Sequence, residues 1–208
     1  MGQEITVTPL QLARGYCALA NGGKVVRPYL LRAVMDASGE VISDFTPTPP
    51  EEPVISPEVI AIIKDKIMVE VVRQAASQSA KLSNYTVFGK TGTAQIAKRG
   101  GGGYQADAYV SSFVGGAPAK DPQLVVFVAV RKPKKSIGYY GAVVAAPTAA
   151  KILSHGLAYL GVPPESPDEV NPSLANQRAG ANSAALSPIG AQLSPNLGLA
   201  YDGASLED

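Results

Sequence analysis

The sequence predicts an α+β fold in which an antiparallel sheet is flanked by helices. Residues 85 to 131 hold three runs at strand spacing joined by short connections, and stretches before and after them repeat their apolar residues at helical spacing. Turn sequences separate the runs. With 208 residues, 46% of them apolar, the chain suffices for one domain with a sizeable core and is too short for two large ones.

The elements follow in order. Thr8 before Pro9 is a helix cap with proline at the first helical position, and Asn21-Gly22-Gly23 supplies left-handed residues that stop a helix, so residues 9 to 21 are read as helical. Residues 29 to 35 and 40 to 45 flank the turn sequence Asp36-Ala-Ser-Gly39 and predict a small hairpin. Thr46 to Pro53 has four prolines in eight residues and predicts an extended connector. Ser56-Pro57-Glu58 repeats the capping signal, and Val59, Ile62, Ile63 and Ile67 continue it as a helix to about residue 73.

From Tyr85 the period becomes that of strands. Tyr85 to Ile96, Ala108 to Ala117 and Leu124 to Arg131 are joined by Gly100 to Gly103 and by residues 119 to 123, and connections this short favour an antiparallel meander. Pro147 then opens a helix whose Ala149, Ile152, Leu153, Leu157 and Leu160 are expected to cover one side of the sheet. From residue 161 the composition shifts to Pro, Ser, Asn, Ala and Gly without a periodic apolar run. Such a segment buries too little to offset its ordering entropy, so 161 to 208 is expected to be a disordered tail after a folded part spanning 1 to 160.

Charge and cysteine usage exclude whole classes of function. Eighteen Lys and Arg against 17 Asp and Glu leave a net charge of +1, without the basic excess a nucleic-acid binder needs. One cysteine, Cys17, and one histidine, His155, cannot assemble a disulfide framework or a metal site of usual composition, so no metal and no cofactor are expected. Cys17 reads as a buried small residue on its helix and His155 as a structural or surface residue. No run of 18 apolar residues and no signal peptide are seen, so no membrane segment is expected in this chain.

The sharpest local string is Lys90-Thr91-Gly92-Thr93, in the middle of the first strand of the meander. A cation, two hydroxyls and a glycine on an exposed strand suit an extended peptide that ends in a carboxylate. The backbone pairs with the peptide, Gly92 permits close approach, Thr91 and Thr93 hydrogen-bond the anion, and Lys90 supplies charge. By contrast, Gly100 to Gly103 does not follow a strand and open a helix as a phosphate loop does, and reads as a hairpin tip. Lys132, Lys134 and Lys135 read as a solvated loop.

Four blocks surround that string: residues 1 to 13 (Met-Gly-Gln-Glu-Ile-Thr-Val-Thr-Pro-Leu-Gln-Leu-Ala) with Tyr16 and Ala20-Asn-Gly-Gly23, then Lys90 to Ala94, then Phe113 to Ala119 with Pro122, then Tyr139-Tyr-Gly-Ala-Val-Val-Ala-Ala-Pro147. In order and spacing they resemble the C-terminal part of the transpeptidase domain of class B penicillin-binding proteins, most of all the division-type enzymes. Ala142 departs from the family, which usually carries a second glycine there, and a small local adjustment is expected.

The resemblance implies a β-lactamase/transpeptidase-like fold and a serine acyltransferase that cross-links peptidoglycan in cell-wall synthesis. In that family a Ser-x-x-Lys serine attacks the D-Ala-D-Ala bond of a stem peptide, β-lactams acylate the same serine, and a Lys-Thr-Gly strand orients the substrate. Lys90 falls on the catalytic position of that strand, and Thr91, Gly92 and Thr93 on its substrate-binding positions. The other motifs do not match: no serine here has a lysine three positions later, and Ser194-Pro-Asn196 comes after the strand rather than before it. The chain is therefore expected to be an incomplete C-terminal half, inactive alone, whose partners are a stem peptide or β-lactam and the missing N-terminal half. Its place by family is the extracytoplasmic face of the bacterial inner membrane. Two other readings stay open, a non-catalytic peptide- or protein-binding module and, with less support, a β-lactamase or β-lactam sensor relative. Unpaired strand edges and uncovered apolar faces are expected to promote association.

Overall fold

Hydroxyl caps and prolines set the helix starts. In the computed structural model, which describes residues 5–48, 52–74 and 77–172, helix α1 is Pro9–Ala20. The Thr8 hydroxyl accepts from the Gln11 amide at 3.2 Å while the Gln11 side chain accepts from the Thr8 amide at 2.8 Å, so two orphan donors of the first turn satisfy each other's residues. Gly22 and Gly23, at φ of 60° and 89°, end the helix, and the Gly23 amide returns to the Ala18 carbonyl. Two short strands follow, β1 (Ala33–Met35) and β2 (Val41–Asp44), paired antiparallel with a bulge between Val34 and Met35.

Ser56 and Pro57 start a helix that runs through α2 (Pro57–Ala61), a π-helical stretch Ile62–Met68, and α3 (Val69–Gln74). The expected span is present, while the widened middle carries no signature in the apolar spacing. There Lys64 is 7% exposed, donates to the Ala119 carbonyl, and lies 3.3 Å from Asp65 with its ammonium 6.0 Å from the Phe88 ring. A short 3₁₀ turn, Gln78–Ala80, leads to the main sheet.

That sheet is the predicted meander, β3 (Phe88–Ala97), β4 (Tyr104–Ala117) and β5 (Leu124–Arg131), antiparallel and in the order β3-β4-β5. The hairpin between β3 and β4 is longer than expected on the β4 side. Gly100 to Gly103 all take positive φ, so the turn closes within the glycines and pairing continues to Ala97 opposite Tyr104. Helices α4 (Gly141–Val144) and α5 (Ala146–Tyr159) cover one face. Ala146, Ala149, Leu153 and Leu157 of α5 are buried there with Val72, Phe113 and Val126. Two members of the predicted stripe, Ile152 and Leu160, are instead exposed. At about 100° per residue Ile152 lies roughly a quarter-turn off the buried line, and Leu160 falls at the helix end. The opposite face packs Phe88, Val69 and Ala119 with Tyr16 and Ala20 of α1.

Met1–Val170 is one compact unit. Residues 162–170, within the segment read as tail, carry specific bonds in that unit: Tyr85 donates to the Val162 carbonyl at 2.7 Å, Glu165 accepts the Thr86 amide, and Pro167–Val170 forms a short helix α6. A glutamate finding an unpaired amide just ahead of β3 is a tertiary event that composition does not register. Residues 173 to 208 lie outside the described residues. Cys17 is half-buried rather than buried, and burial pushes its thiol above the ordinary 9.0. His155 is exposed.

Candidate active-site strand

The register decides which way each residue of the Lys90–Thr93 string points. Thr91 is opposite Phe113 and Thr93 opposite Ser111, so both threonines take the face covered by α4 and α5, while Lys90 and Gly92, opposite Val114 and Ser112, take the other. The four residues therefore do not share a face. They meet at the free edge of β3. The Thr91 amide turns away from β4 and donates to the Ser77 hydroxyl at 3.3 Å, and by alternation the Thr93 amide faces the same edge. The Lys90 ammonium folds over that edge to the Thr91 carbonyl at 2.9 Å and is exposed. It has no ion pair among the described residues.

Close packing above the strand fixes the threonines. A Cβ on Gly141 would sit 2.3 Å from the Ser112 carbonyl oxygen and 2.5 Å from that of Gly92, so only glycine lets the start of α4 lie on the strands. That approach brings the Gly141 amide within 3.1 Å of the Thr93 hydroxyl oxygen. The loop before it is tied down by Ser111, fully buried, whose hydroxyl donates to the Tyr139 carbonyl. Beside it Tyr139 stacks on both Tyr109 and Tyr140 with ring centroids 4.4 Å from each, and the Tyr139 and Tyr140 hydroxyls are 3.0 Å apart. The hydrogen bond to Tyr140 raises the Tyr139 phenol above its ordinary value. Lys135, expected in a solvated loop, is exposed and pairs with Asp107, which raises its ammonium.

Beyond this geometry, the chain as a whole is similar to known proteins. The family described as the penicillin-binding protein transpeptidase domain matches residues 1–154. The chain belongs to that family. It is 38% identical over 164 residues to stage V sporulation protein D of Bacillus subtilis, covering 78% of this chain and 25% of that protein. To the probable peptidoglycan D,D-transpeptidase PbpC of Pseudomonas aeruginosa it is 33% identical over 177 residues, covering 85% of this chain and 28% of PbpC. Penicillin-binding protein 3 of Mycobacterium tuberculosis, crystallised without ligand, superposes with a TM-score of 0.66 at 29% identity, over 80% of this chain and 38% of that one. The same protein has also been crystallised with aztreonam. This chain thus spans about a quarter of the length of the curated relatives it matches.

Within the family's fold the string lies on an accessible edge strand, and the Tyr-Tyr-Gly block that carries part of the resemblance stands directly over it. Ser77, Ser111 and the Gly141 amide were not singled out by the sequence. Nothing in the neighbours of Ser77 signals a bond to a strand 14 residues later. A groove of about 430 Å³ lined by Pro118, Gln123, Val162 and Glu165 lies beyond the Ala117 end of β4, and none of the string lines it. Among the described residues no group of three or more His, Cys, Asp or Glu gathers as a metal site, and no helix is long and apolar enough to cross a membrane.

Proposed function

We propose that this chain supplies the substrate-binding strand of a peptidoglycan D,D-transpeptidase. The observation that carries the reading is the edge of β3, where Lys90 and the two threonines flank, from two faces, a stretch of backbone that no further strand pairs with. An extended peptide laid along that edge pairs with the Thr93 amide, and its terminal carboxylate takes the charge of Lys90 and the protons of the two threonines. A Cβ on Gly92 would meet the Ser112 hydroxyl of β4 at 2.6 Å, so glycine suits the close pairing there.

In this reading, the serine that attacks the D-Ala-D-Ala carbonyl and expels the terminal D-alanine comes from outside the 208 residues, because no Ser-x-x-Lys occurs within them. The cross-linking reaction, the β-lactam as inhibitor, the complementary N-terminal half and an extracytoplasmic site of action all belong to the same proposal. Thr91 and Thr93 hold the carboxylate end of the substrate and so do not reach its carbonyl. Incubated alone with a penicillin, the chain is expected to show no stoichiometric mass increase by intact-mass spectrometry, and an adduct is expected only when the serine-bearing half is supplied. An adduct on the chain alone would overturn the assignment of the nucleophile. The same absence of Ser-x-x-Lys favours a second reading, a module that binds peptide ends without acyl transfer. No adduct after the serine-bearing half is supplied would select it.

A further inference from the structure

The two threonines differ from ordinary strand hydroxyls in what stands behind them. A hydroxyl has one proton and two lone pairs, and a neighbour that donates to it occupies a lone pair without taking its proton. Gly141 approaches the Thr93 oxygen with an amide, which can only donate, so Thr93 accepts and its own proton is left for a ligand. Ser77 accepts the Thr91 amide at 3.3 Å, and its proton is directed to the Thr91 oxygen 3.5 Å away. Thr91 then also accepts, over a longer distance than Thr93 does.

We propose that Ser77, and Ser111 acting through the Tyr139–Gly141 turn, are positioning residues. They fill the acceptor side of the Thr91 and Thr93 hydroxyls so that both protons face the ligand carboxylate. The inference rests on the carboxylate reading above and adds to it the device that makes the site discriminate. A carboxylate only accepts, so a site with its hydroxyl protons already turned outward spends no energy on orienting them when the anion arrives. A terminal amide brings donors of its own and meets two donors head-on.

Burial supports the assignment. Among the described residues the buried polar side chains are Lys64, Ser77 and Ser111, and the two serines are fully buried. A hydroxyl in such surroundings costs free energy unless it is paired. Among the described residues the Ser77 hydroxyl pairs with Thr91, and the Ser111 hydroxyl pairs with the turn that delivers the Gly141 amide to Thr93.

The test uses the 208-residue chain, a pentapeptide ending in D-Ala-D-Ala, and the same peptide closed as its C-terminal amide, with affinities from NMR titration. The readout is the ratio of acid to amide affinity. Ser77→Ala is expected to lower that ratio about tenfold, the scale of one hydrogen bond to a charged group, and to add nothing on a Thr91→Val background. Ser111→Ala is expected to behave likewise against Thr93→Val, which provides a second pair should the first variant fold poorly. An unchanged ratio in both serine variants, or full additivity with the valine variants, would overturn the positioning role while leaving the carboxylate site standing. If the unaltered chain and Lys90→Ala show no preference for the acid, the carboxylate reading itself falls, and this inference with it.

Discussion

The two sheets of this molecule are built on opposite terms. The sheet β3-β4-β5 has Phe88 on one face and Phe113 on the other, both fully buried, and each face carries helices. The pair β1-β2 buries almost nothing. Val34, Met35, Val41 and Ile42 are exposed, and Leu30 just before it is wholly so. What holds the small sheet is local: Asp36 accepts from the Ser38 amide at 2.9 Å, the Ser38 hydroxyl at 2.6 Å and the Glu40 amide at 2.9 Å, and Phe45 donates to the Arg32 carbonyl beyond the strands. A two-stranded ribbon is marginal by itself in water. One sheet is therefore a property of the tertiary core and the other of a turn.

The largest expected effect breaks the first sheet alone. Phe113→Ala removes a fully buried ring from between β4 and α5 and should cost about 3–5 kcal/mol in urea unfolding. Gly141→Ala comes next. Its Cβ meets backbone oxygens that have little room to yield, so a loss of about 1–3 kcal/mol is expected, together with weaker binding of the acid peptide as the amide leaves Thr93. A smaller loss without binding would show that the turn relaxes.

Within the site, Lys90→Ala should weaken binding of the acid peptide far more than Lys98→Ala. Lys90 lies against the strand edge, whereas Lys98 sits at the exposed hairpin tip where salt screens it. Equal losses would remove Lys90 from the site.

The smallest global effect belongs to the second sheet. The hydroxyl of Ser38 and then the amide of Glu40 hold the Asp36 carboxyl below its ordinary 3.8. With the folded value depressed, the contribution of this group is whole above the ordinary value and is lost as pH falls through the folded one. Amide protection in residues 33 to 44 should therefore fade on acidification below about pH 4, while β3-β4-β5 stays protected. Asp36→Ala should reproduce that fading at neutral pH. Ile42→Ser should change stability by no more than about 0.5 kcal/mol and reduce self-association, since its side chain is 65% exposed.

Sequence alone determined the parts whose cause is local. Caps and prolines placed α1 and the start of α2, the Asp36 turn placed the hairpin, and period-two spacing placed β5 residue for residue at Leu124–Arg131. The blocks from Lys90 to Ala94 and Tyr139 to Pro147 pointed to the family because residue type and order survive without coordinates. Register, by contrast, belongs to the pairing of distant segments. Alternation along any strand separates Lys90 from the threonines, but only the opposition of Thr91 to Phe113 puts the threonines on the face under α4 and α5. Only the fold brings Ser77 and Gly141 to the threonine oxygens, 14 and 48 residues apart in the chain. A hydrogen bond across such separations depends on where packing delivers each backbone, and nothing in the flanking residues encodes that. The same holds for Glu165, which meets the Thr86 amide 79 residues back from inside a stretch whose composition suggested no structure. Composition reports what a segment buries by itself, and a single charged side chain completing another segment's hydrogen bonds leaves no trace in it.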